Sequence, residues 1–129
     1  MNSPSHPRGV LGAIASFLGL GGDGDGGGSG LRDRDVGLAK KLIAEGAVVL
    51  DVRTPGEFAS GHVKEAKLIP VQELAGRMAE VDKLTRGDKD KPIVVYCAAG
   101  ARAGKAKQML VRAGYKNVMN AGGYGSLAR

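Results

Sequence analysis

The sequence contains a single cysteine, Cys97, placed where a reactive thiol would be expected. The apolar run 93–96 precedes it, the small residues 98–101 follow it, and a helical pattern begins directly afterwards. A loop that joins a strand to a helix leaves several backbone N–H groups unpaired and convergent, and such groups bind anions. Since a thiolate is an anion, the pattern predicts a nucleophile whose ionised form the loop stabilises. The alternative is a buried cysteine that acts as a small hydrophobic side chain.

The energies involved indicate which part of the loop would activate the thiol. Lowering a thiol pKa from about 8.5 to roughly 6.5 takes about 2.7 kcal/mol. A helix dipole supplies only about 0.3–1 kcal/mol at an exposed terminus, whereas an N–H hydrogen bond to a charged acceptor contributes roughly 1.5–3 kcal/mol. Backbone amides therefore have to provide most of the activation. They would be unobstructed beside the small side chains of Ala98, Ala99, Gly100 and Ala101.

The net charge of +6 is concentrated after the cysteine. All 13 acidic side chains precede Cys97, where an equal number of basic side chains balances them. Positive charge around a thiol would raise the local concentration of anionic substrates. Nucleic acid could also use this charge, but the chain has only three tyrosines and two phenylalanines and no recognised nucleic-acid-binding motif, so no nucleic-acid partner is predicted. The basic excess comprises Arg102, Lys105, Lys107, Arg112, Lys116 and Arg129.

A glycine-rich stretch divides the chain. Residues 21–30 contain only glycine, aspartate and serine, which cannot pack a core, so we predict an N-terminal apolar segment with a flexible linker over 1–30 and one domain over 31–129. Residues 10–20 have apolar side chains at helical spacing, too few to span a bilayer but enough for a signal peptide or membrane-surface contact. Export, membrane attachment and a plain disordered tail all stay open for residues 1–22. Depending on which of them applies, the protein would be periplasmic, membrane-associated or cytoplasmic.

Helices and strands alternate along the predicted domain. The residues between Thr54 and Glu57 have the spacing of a capping box, with proline at the first helical position, whereas Gly122 and Gly123 are expected to form a turn. Alternation of this kind predicts a parallel sheet covered on both faces, with ligands bound beyond the carboxyl ends of the strands. Predicted helices cover 35–45, 54–61, 72–82 and 105–112, and predicted strands cover 47–50, 67–69, 93–96 and 117–119.

Two blocks of the sequence resemble rhodanese domains. The first is the run LDVRTPGEFASGHV at 50–63, followed by Ala66 and by an Ile-Pro pair at 69–70, and the second is YCAAGAR at 96–102. The later runs AGY at 113–115 and NAGG at 120–123 are similar to the small single-domain members of the family. The resemblance extends from about Asp35 to Leu127. It implies a rhodanese-like three-layer α/β/α fold with a central, mainly parallel sheet.

The resemblance implies sulfur transfer in two displacements. Cys97 would attack the outer sulfur of thiosulfate or of a persulfide donor, and would then hand that sulfur, as a persulfide, to cyanide or a thiol acceptor. The loop amides of residues 98–101 would hold the anionic persulfide. Because Cys97 is the only cysteine, the acceptor has to come from outside the chain. We expect a monomer that needs no cofactor and no metal.

Four further residues are assigned roles by the same resemblance. Arg102 would bind the sulfonate end of thiosulfate or stabilise the leaving group, and the alternative for it is a solvated arginine in the first helical turn. Asp51 and His62 resemble family positions that tie loops together by hydrogen bonds. Arg53 either faces the pocket or pairs with Asp51 or Glu57, and the structural role is favoured.

Two other functions stay open. Cysteine phosphatases and arsenate reductases share this type of loop but place five residues between the cysteine and the arginine, whereas four separate Cys97 from Arg102. The shorter loop favours one sulfur atom over a tetrahedral oxyanion. A sulfur carrier or binding module, docked to a partner and loaded by it, would keep the same cysteine.

Overall fold

Four short, largely buried segments form a parallel sheet. The computed structural model describes residues 30–129. The strands β1 (Val48–Asp51), β2 (Lys67–Leu68), β3 (Ile93–Cys97) and β4 (Val118–Gly123) lie in the order β2-β1-β3-β4, and all neighbours run parallel. Since parallel strands end at the same edge, the carboxyl ends of β1, β3 and β4 bring Asp51, Cys97 and Gly123 to one side of the sheet. The predicted parallel sheet is confirmed.

Short helices connect the strands, and two of them begin at the predicted caps. The Asp35 side chain accepts a hydrogen bond from the Leu38 N–H group (2.9 Å). Thr54 and Glu57 form the predicted capping box in both directions. The helices are α1 (Val36–Ala44), α2 (Pro55–Ala59), α3 (Val71–Leu74), α4 (Met78–Thr85), α5 (Ala101–Arg112) and α6 (Tyr124–Ala128), and a 3₁₀ turn (Ala75–Arg77) joins α3 to α4.

The helices cover both faces of the sheet, as the alternation predicts. One side-chain cluster packs alternate strand residues such as Leu50 and Val95 against α3, α4 and α5. The second cluster packs the intervening residues, among them Val49 and Val94, against α1 and α6. Because side chains alternate between the faces of a strand, these continuous apolar runs feed two cores at once. The three-layer α/β/α architecture is confirmed.

Three predicted elements differ from those observed. The helix predicted over 105–112 begins earlier, at Ala101, directly after the active-site loop. The single helix expected over 72–82 is two helices joined by the 3₁₀ turn, and glycine, a weak helix former, occupies position 76 within that turn. The turn predicted at Gly122 and Gly123 is wrong, because both residues belong to β4 and α6 follows at once. Gly123 pairs with Cys97 after a register shift in β3 and β4, so these glycines serve a close backbone approach instead of a turn.

The N-terminal predictions fall largely outside the described residues. The segment 1–29, including the membrane-surface contact proposed for residues 10–20, is not described. The described part begins at Gly30, whose N–H group donates to the Lys116 carbonyl oxygen (3.3 Å), and Leu31 is buried in the core. Within residues 30–129, every helix is too short or too polar to cross a membrane.

Candidate active site

Backbone N–H groups surround the sulfur of Cys97 at the end of β3. The residue is buried, and its Sγ accepts hydrogen bonds from the N–H groups of Gly100 (2.9 Å) and Ala103 (3.4 Å). Gly100 has a φ of +109°, a left-handed conformation that favours glycine. The side chains of Ala98, Ala99 and Ala101 are exposed, so they leave the loop amides unobstructed. The N–H groups of residues 99, 100, 102 and 103 are called the amide cradle below.

The amide cradle favours the ionised thiol. Burial raises the pKa of Cys97, but the N–H groups of Ala103, Ala99, Gly100 and Arg102 lower it by more, so the pKa lies below its usual value. Two of these donors, Arg102 and Ala103, belong to the first turn of α5, where N–H groups have no partner within the helix. The amides predicted from the sequence are those of residues 98–101, whereas those observed extend to Ala103. The predicted start of a helix after the loop could have identified Ala103 as a donor, because the first N–H groups of a helix have no partner within it.

The lowered pKa predicts how alkylation of Cys97 depends on pH. Only the thiolate reacts with iodoacetamide, so the rate should rise through the thiol pKa. We expect the half-maximal rate at a lower pH in the folded protein than in the same protein unfolded in urea. The thiolate correspondingly stabilises the fold above the unfolded-state pKa, and this contribution is lost as the pH falls through the folded-state pKa. A folded-state midpoint at or above the unfolded one would contradict the cradle.

Arg102 is held in an ion pair that the sequence analysis did not assign. Its Nη1 and Nη2 atoms donate to the two carboxylate oxygens of Glu57 at 2.8 and 3.1 Å, and both side chains are half-buried. Hydrogen bonds from Arg102 and from the Thr54 N–H group lower the pKa of Glu57 to about 2. Arg102 is therefore not simply solvated, because the pair joins the start of α5 to α2 beside the thiol.

Arg53 is paired with Asp51 at the carboxyl end of β1. Its Nε and Nη2 atoms donate to the carboxylate of Asp51 at 2.9 and 2.6 Å, and Nη2 also donates to the Gly61 carbonyl oxygen at 2.7 Å. The guanidinium lies 4.6 Å from the ring centre of Tyr124 and 5.4 Å from that of Tyr96. The hydrogen bond to Asp51 raises the pKa of Arg53, against the opposing effect of burial. Of the two pairings considered for Arg53, the structure has the one with Asp51.

His62 stays within its own segment. Its Nδ1 atom lies 3.0 Å from the Phe58 carbonyl oxygen, and its ring stacks on the Phe58 ring with the centres 3.6 Å apart. The side chain is exposed. In the structure, Asp51 is linked to the segment at Gly61 through Arg53. The contacts of His62 instead hold together the end of α2.

Two of the predicted excess cations are neutralised locally. Lys107 is buried and its Nζ atom contacts the carboxylate of Asp33 at 2.8 Å, as Arg102 contacts Glu57. The positive field around the thiol is therefore weaker than the charge count along the chain indicates. Asp33 lies in a charged run that is typical of a solvated surface, so the sequence carried no signal for this pairing.

Gly123 packs directly against the active-site loop, and this contact predicts the effect of adding one methyl group. A Cβ atom at Gly123 would lie 2.5 Å from the Ala98 carbonyl oxygen, so the loop has to move in Gly123→Ala. We expect a loss of about 1–3 kcal/mol in the free energy of unfolding and a roughly hundredfold fall in any activity of the loop, because small misplacements are costly there. Urea unfolding and sulfur-transfer assays measure both.

The control for this prediction is Gly125→Ala in α6. A Cβ atom at Gly125 meets no other atom within 4 Å, so this variant should keep wild-type activity. Equal activities of the two variants would show that the close approach of β4 to the loop is unimportant.

Within residues 30–129, no group of three or more His, Cys, Asp or Glu side chains converges in a way that could hold a metal ion.

A thiolate-stabilising loop at the carboxyl edge of a three-layer parallel sheet defines the class of α/β protein to which this chain belongs. Comparison with protein families narrows that class. The model of the rhodanese-like domain matches residues 35–127. The chain is a member of the rhodanese-like family.

Individual relatives agree with this assignment. The thiosulfate sulfurtransferase PspE of Escherichia coli is 39% identical over 79 residues, which cover 61% of this chain and 72% of that protein. Thiosulfate sulfurtransferase 18 of Arabidopsis thaliana is 40% identical over 99 residues, which cover 69% and 71%. The solved structure described as a rhodanese with anions from E. coli superposes with a TM-score of 0.57 and 38% identity, over 64% of this chain and 92% of that one. These relatives support a sulfurtransferase activity for the chain.

Proposed function

We propose that the protein transfers sulfane sulfur from thiosulfate or a persulfide donor, through a persulfide on Cys97, to cyanide or a thiol acceptor. The amide cradle around Sγ is the observation that carries the proposal. In the first displacement the thiolate attacks the outer sulfur of thiosulfate, the S–S bond breaks, and sulfite leaves with the electron pair. In the second, the acceptor attacks the outer persulfide sulfur and the Cys97 thiolate is regenerated, so no oxidant or reductant is consumed.

The small loop is suited to both steps. In the free protein the N–H groups stabilise the attacking thiolate, and in the persulfide the same groups lie beside the negative charge that forms on the added sulfur. Their fixed orientation means that little reorganisation is needed during the reaction. The side chains of Ala98, Ala99 and Ala101 are exposed and small, so they do not obstruct the loop amides.

Arg102 would bind the sulfonate of thiosulfate, and Glu57 competes with that substrate for the guanidinium. In Glu57→Gln the competing charge is removed, while glutamine can still accept the hydrogen bond from the Thr54 N–H group in the capping box. We expect the KM for thiosulfate to fall by about two- to fivefold, as suits a partly exposed pair. Steady-state kinetics at constant ionic strength would measure it.

Glu73→Gln is the matched control for Glu57→Gln. Glu73 also lies in the first turn of a helix and pairs with an arginine, Arg77, at 2.8 Å, but it belongs to α3. Its KM should equal that of the wild type. Equal changes in both variants would show a general effect of net charge instead of competition at Arg102.

The function itself is tested by the mass of the intact protein after incubation with thiosulfate. We expect a gain of one sulfur atom, which cyanide or dithiothreitol removes, and no gain in protein first alkylated with iodoacetamide. An unchanged mass in the untreated protein would contradict thiosulfate as the donor and favour a carrier loaded by a partner protein. Turnover of an aryl phosphate would instead favour a cysteine phosphatase, a function that the four-residue spacing between Cys97 and Arg102 disfavours.

A further inference from the structure

A buried polar network lies behind the active-site loop, and the two displacements make no use of it. Lys107 in α5 has only 7% of its side chain exposed, and its Nζ atom donates to both carboxylate oxygens of Asp33, at 2.8 and 3.0 Å. The Oδ1 atom of Asp33 also accepts the N–H group of Asn120 in β4 at 3.0 Å. Burying a lysine is costly unless its charge is paired and hydrogen-bonded, so this arrangement calls for an explanation.

Asn120 connects the network to the loop. Its side chain is buried, and both ends of the amide are used. The Nδ2 atom donates to the Gly100 carbonyl oxygen at 3.0 Å, and the Oδ1 atom accepts the Gly122 N–H group at 2.8 Å. Gly100 is the residue whose own N–H group lies closest to Sγ among the measured donors. A contact that holds the Gly100 carbonyl therefore restrains the same residue whose N–H group binds the thiolate.

Gly100 needs such a restraint because glycine has wide conformational freedom. Its φ of +109° is one of many values that glycine can adopt. The carbonyl is held from two sides, by Asn120 and by the N–H group of Gly104 (2.9 Å) in the first turn of α5. With the peptide group after Gly100 restrained in this way, the Gly100 N–H group stays directed at Sγ.

The segment before α1 adds a contact from the outside of the loop. The Arg34 N–H group donates to the Asn120 carbonyl oxygen at 2.7 Å, and its Nη1 atom donates to the Ala99 carbonyl oxygen at 3.4 Å. The carbonyl oxygens of two consecutive loop residues, Ala99 and Gly100, are thus bound on the side away from the sulfur. Their N–H groups are left for the thiolate.

We infer that Asn120, held in place by Asp33 and Lys107, is a positioning residue that keeps the amide cradle in the geometry that stabilises the Cys97 thiolate. Asn120 acts through Gly100 and does not touch the substrate. Its importance rests on the proposed function of Cys97 as the nucleophile. Alkylation of the thiol requires no sulfur donor, however, so the position of the cradle can be tested even if the proposed function fails.

The test is the pH profile of alkylation by iodoacetamide in Asn120→Ala. We expect the midpoint to rise by about one pH unit, toward that of the unfolded chain, as suits a weakened amide hydrogen bond to the thiolate. The variant leaves the charged groups around the loop unchanged, namely Arg34, Arg53, Glu57, Arg102, Asp33 and Lys107. A shift of the midpoint therefore reports hydrogen bonding, and unlike the absolute rate it does not depend on how accessible the sulfur is.

Asn117→Ala is the matched control. Asn117 is another buried asparagine whose Nδ2 atom donates to a backbone carbonyl, that of Asp90, at 2.8 Å, but it precedes β4 at the opposite end of the sheet. It should lower the stability and leave the midpoint unchanged. A wild-type midpoint in folded Asn120→Ala, or an equal rise in both variants, would overturn the inference.

Lys107→Met decides the question if Asn120→Ala does not fold. It removes the partner of Asp33 and is compared with Lys105→Met, which removes one positive charge from the same helix at an exposed position. A higher midpoint in Lys107→Met than in Lys105→Met supports the role of the network. Equal midpoints overturn it.

Discussion

Sulfur transfer from thiosulfate to cyanide is expected to fall to background, by more than about a thousandfold, in Cys97→Ser. The serine hydroxyl is not ionised at neutral pH and is a poor nucleophile without a general base. No second cysteine exists in the chain to take over the sulfur. Thiocyanate formation measures the loss, and the mass of the variant should not change on incubation with thiosulfate.

The fold should survive this substitution. A hydroxyl group can accept the hydrogen bonds that the Gly100 and Ala103 N–H groups donate to Sγ, so the loop keeps its partners. Thermal unfolding of Cys97→Ser should therefore stay cooperative, with a midpoint lower than that of the wild type only by the stabilisation that the thiolate contributes. Sulfur transfer by a folded Cys97→Ser variant at an appreciable fraction of the wild-type rate would contradict the proposed mechanism.

The largest loss of stability is expected for Asp51→Ala. Asp51 is fully buried, and its carboxylate is the anionic partner of the almost equally buried Arg53. Removal of one partner leaves the other charge buried and unpaired, which costs about 3–5 kcal/mol in the free energy of unfolding. Urea unfolding followed by circular dichroism measures it. The segment around Gly61 should also lose stability, because Arg53 binds the Gly61 carbonyl oxygen.

A double-mutant cycle separates the interaction energy between Asp51 and Arg53 from the other effects of the two substitutions. In Asp51→Ala combined with Arg53→Met, neither charge remains, and methionine can pack against the rings of Tyr96 and Tyr124 that Arg53 now contacts. The double variant should be more stable than the sum of the single losses predicts. Additive losses would show that the buried ion pair contributes little.

The features that the sequence predicted correctly depend on residues close together in the chain. The capping box of Thr54 and Glu57 needs only three residues of separation, and the position of Cys97 at a strand end follows from the apolar run before it. The alternation of helices and strands predicted the parallel sheet, because parallel strands require crossover connections. Two blocks of residues were then sufficient to identify the family.

The predictions that failed concern backbone that approaches other parts of the chain. Gly122 and Gly123 were expected in a turn because no strand with a following helix was predicted to frame them. In the structure the backbone of β4 approaches the Ala98 carbonyl, and glycine is needed for that contact. The helix expected over 72–82 is interrupted, although its apolar spacing suits one continuous helix. Local sequence patterns do not indicate where a helix has to change direction as it crosses the sheet.

The partners of Arg102, Lys107 and Gly100 could be identified only after folding. Arg102 and Glu57 are 45 residues apart in the chain, Lys107 and Asp33 are 74 apart, and Asn120 and Gly100 are 20 apart. An ion pair has no characteristic sequence spacing when its members lie on different elements, since packing of the helices on the sheet brings them together. The nature of the reactive group was therefore predictable from the residues around Cys97. The orientation of its amide donors and the partner of Arg102 are properties of the packed structure.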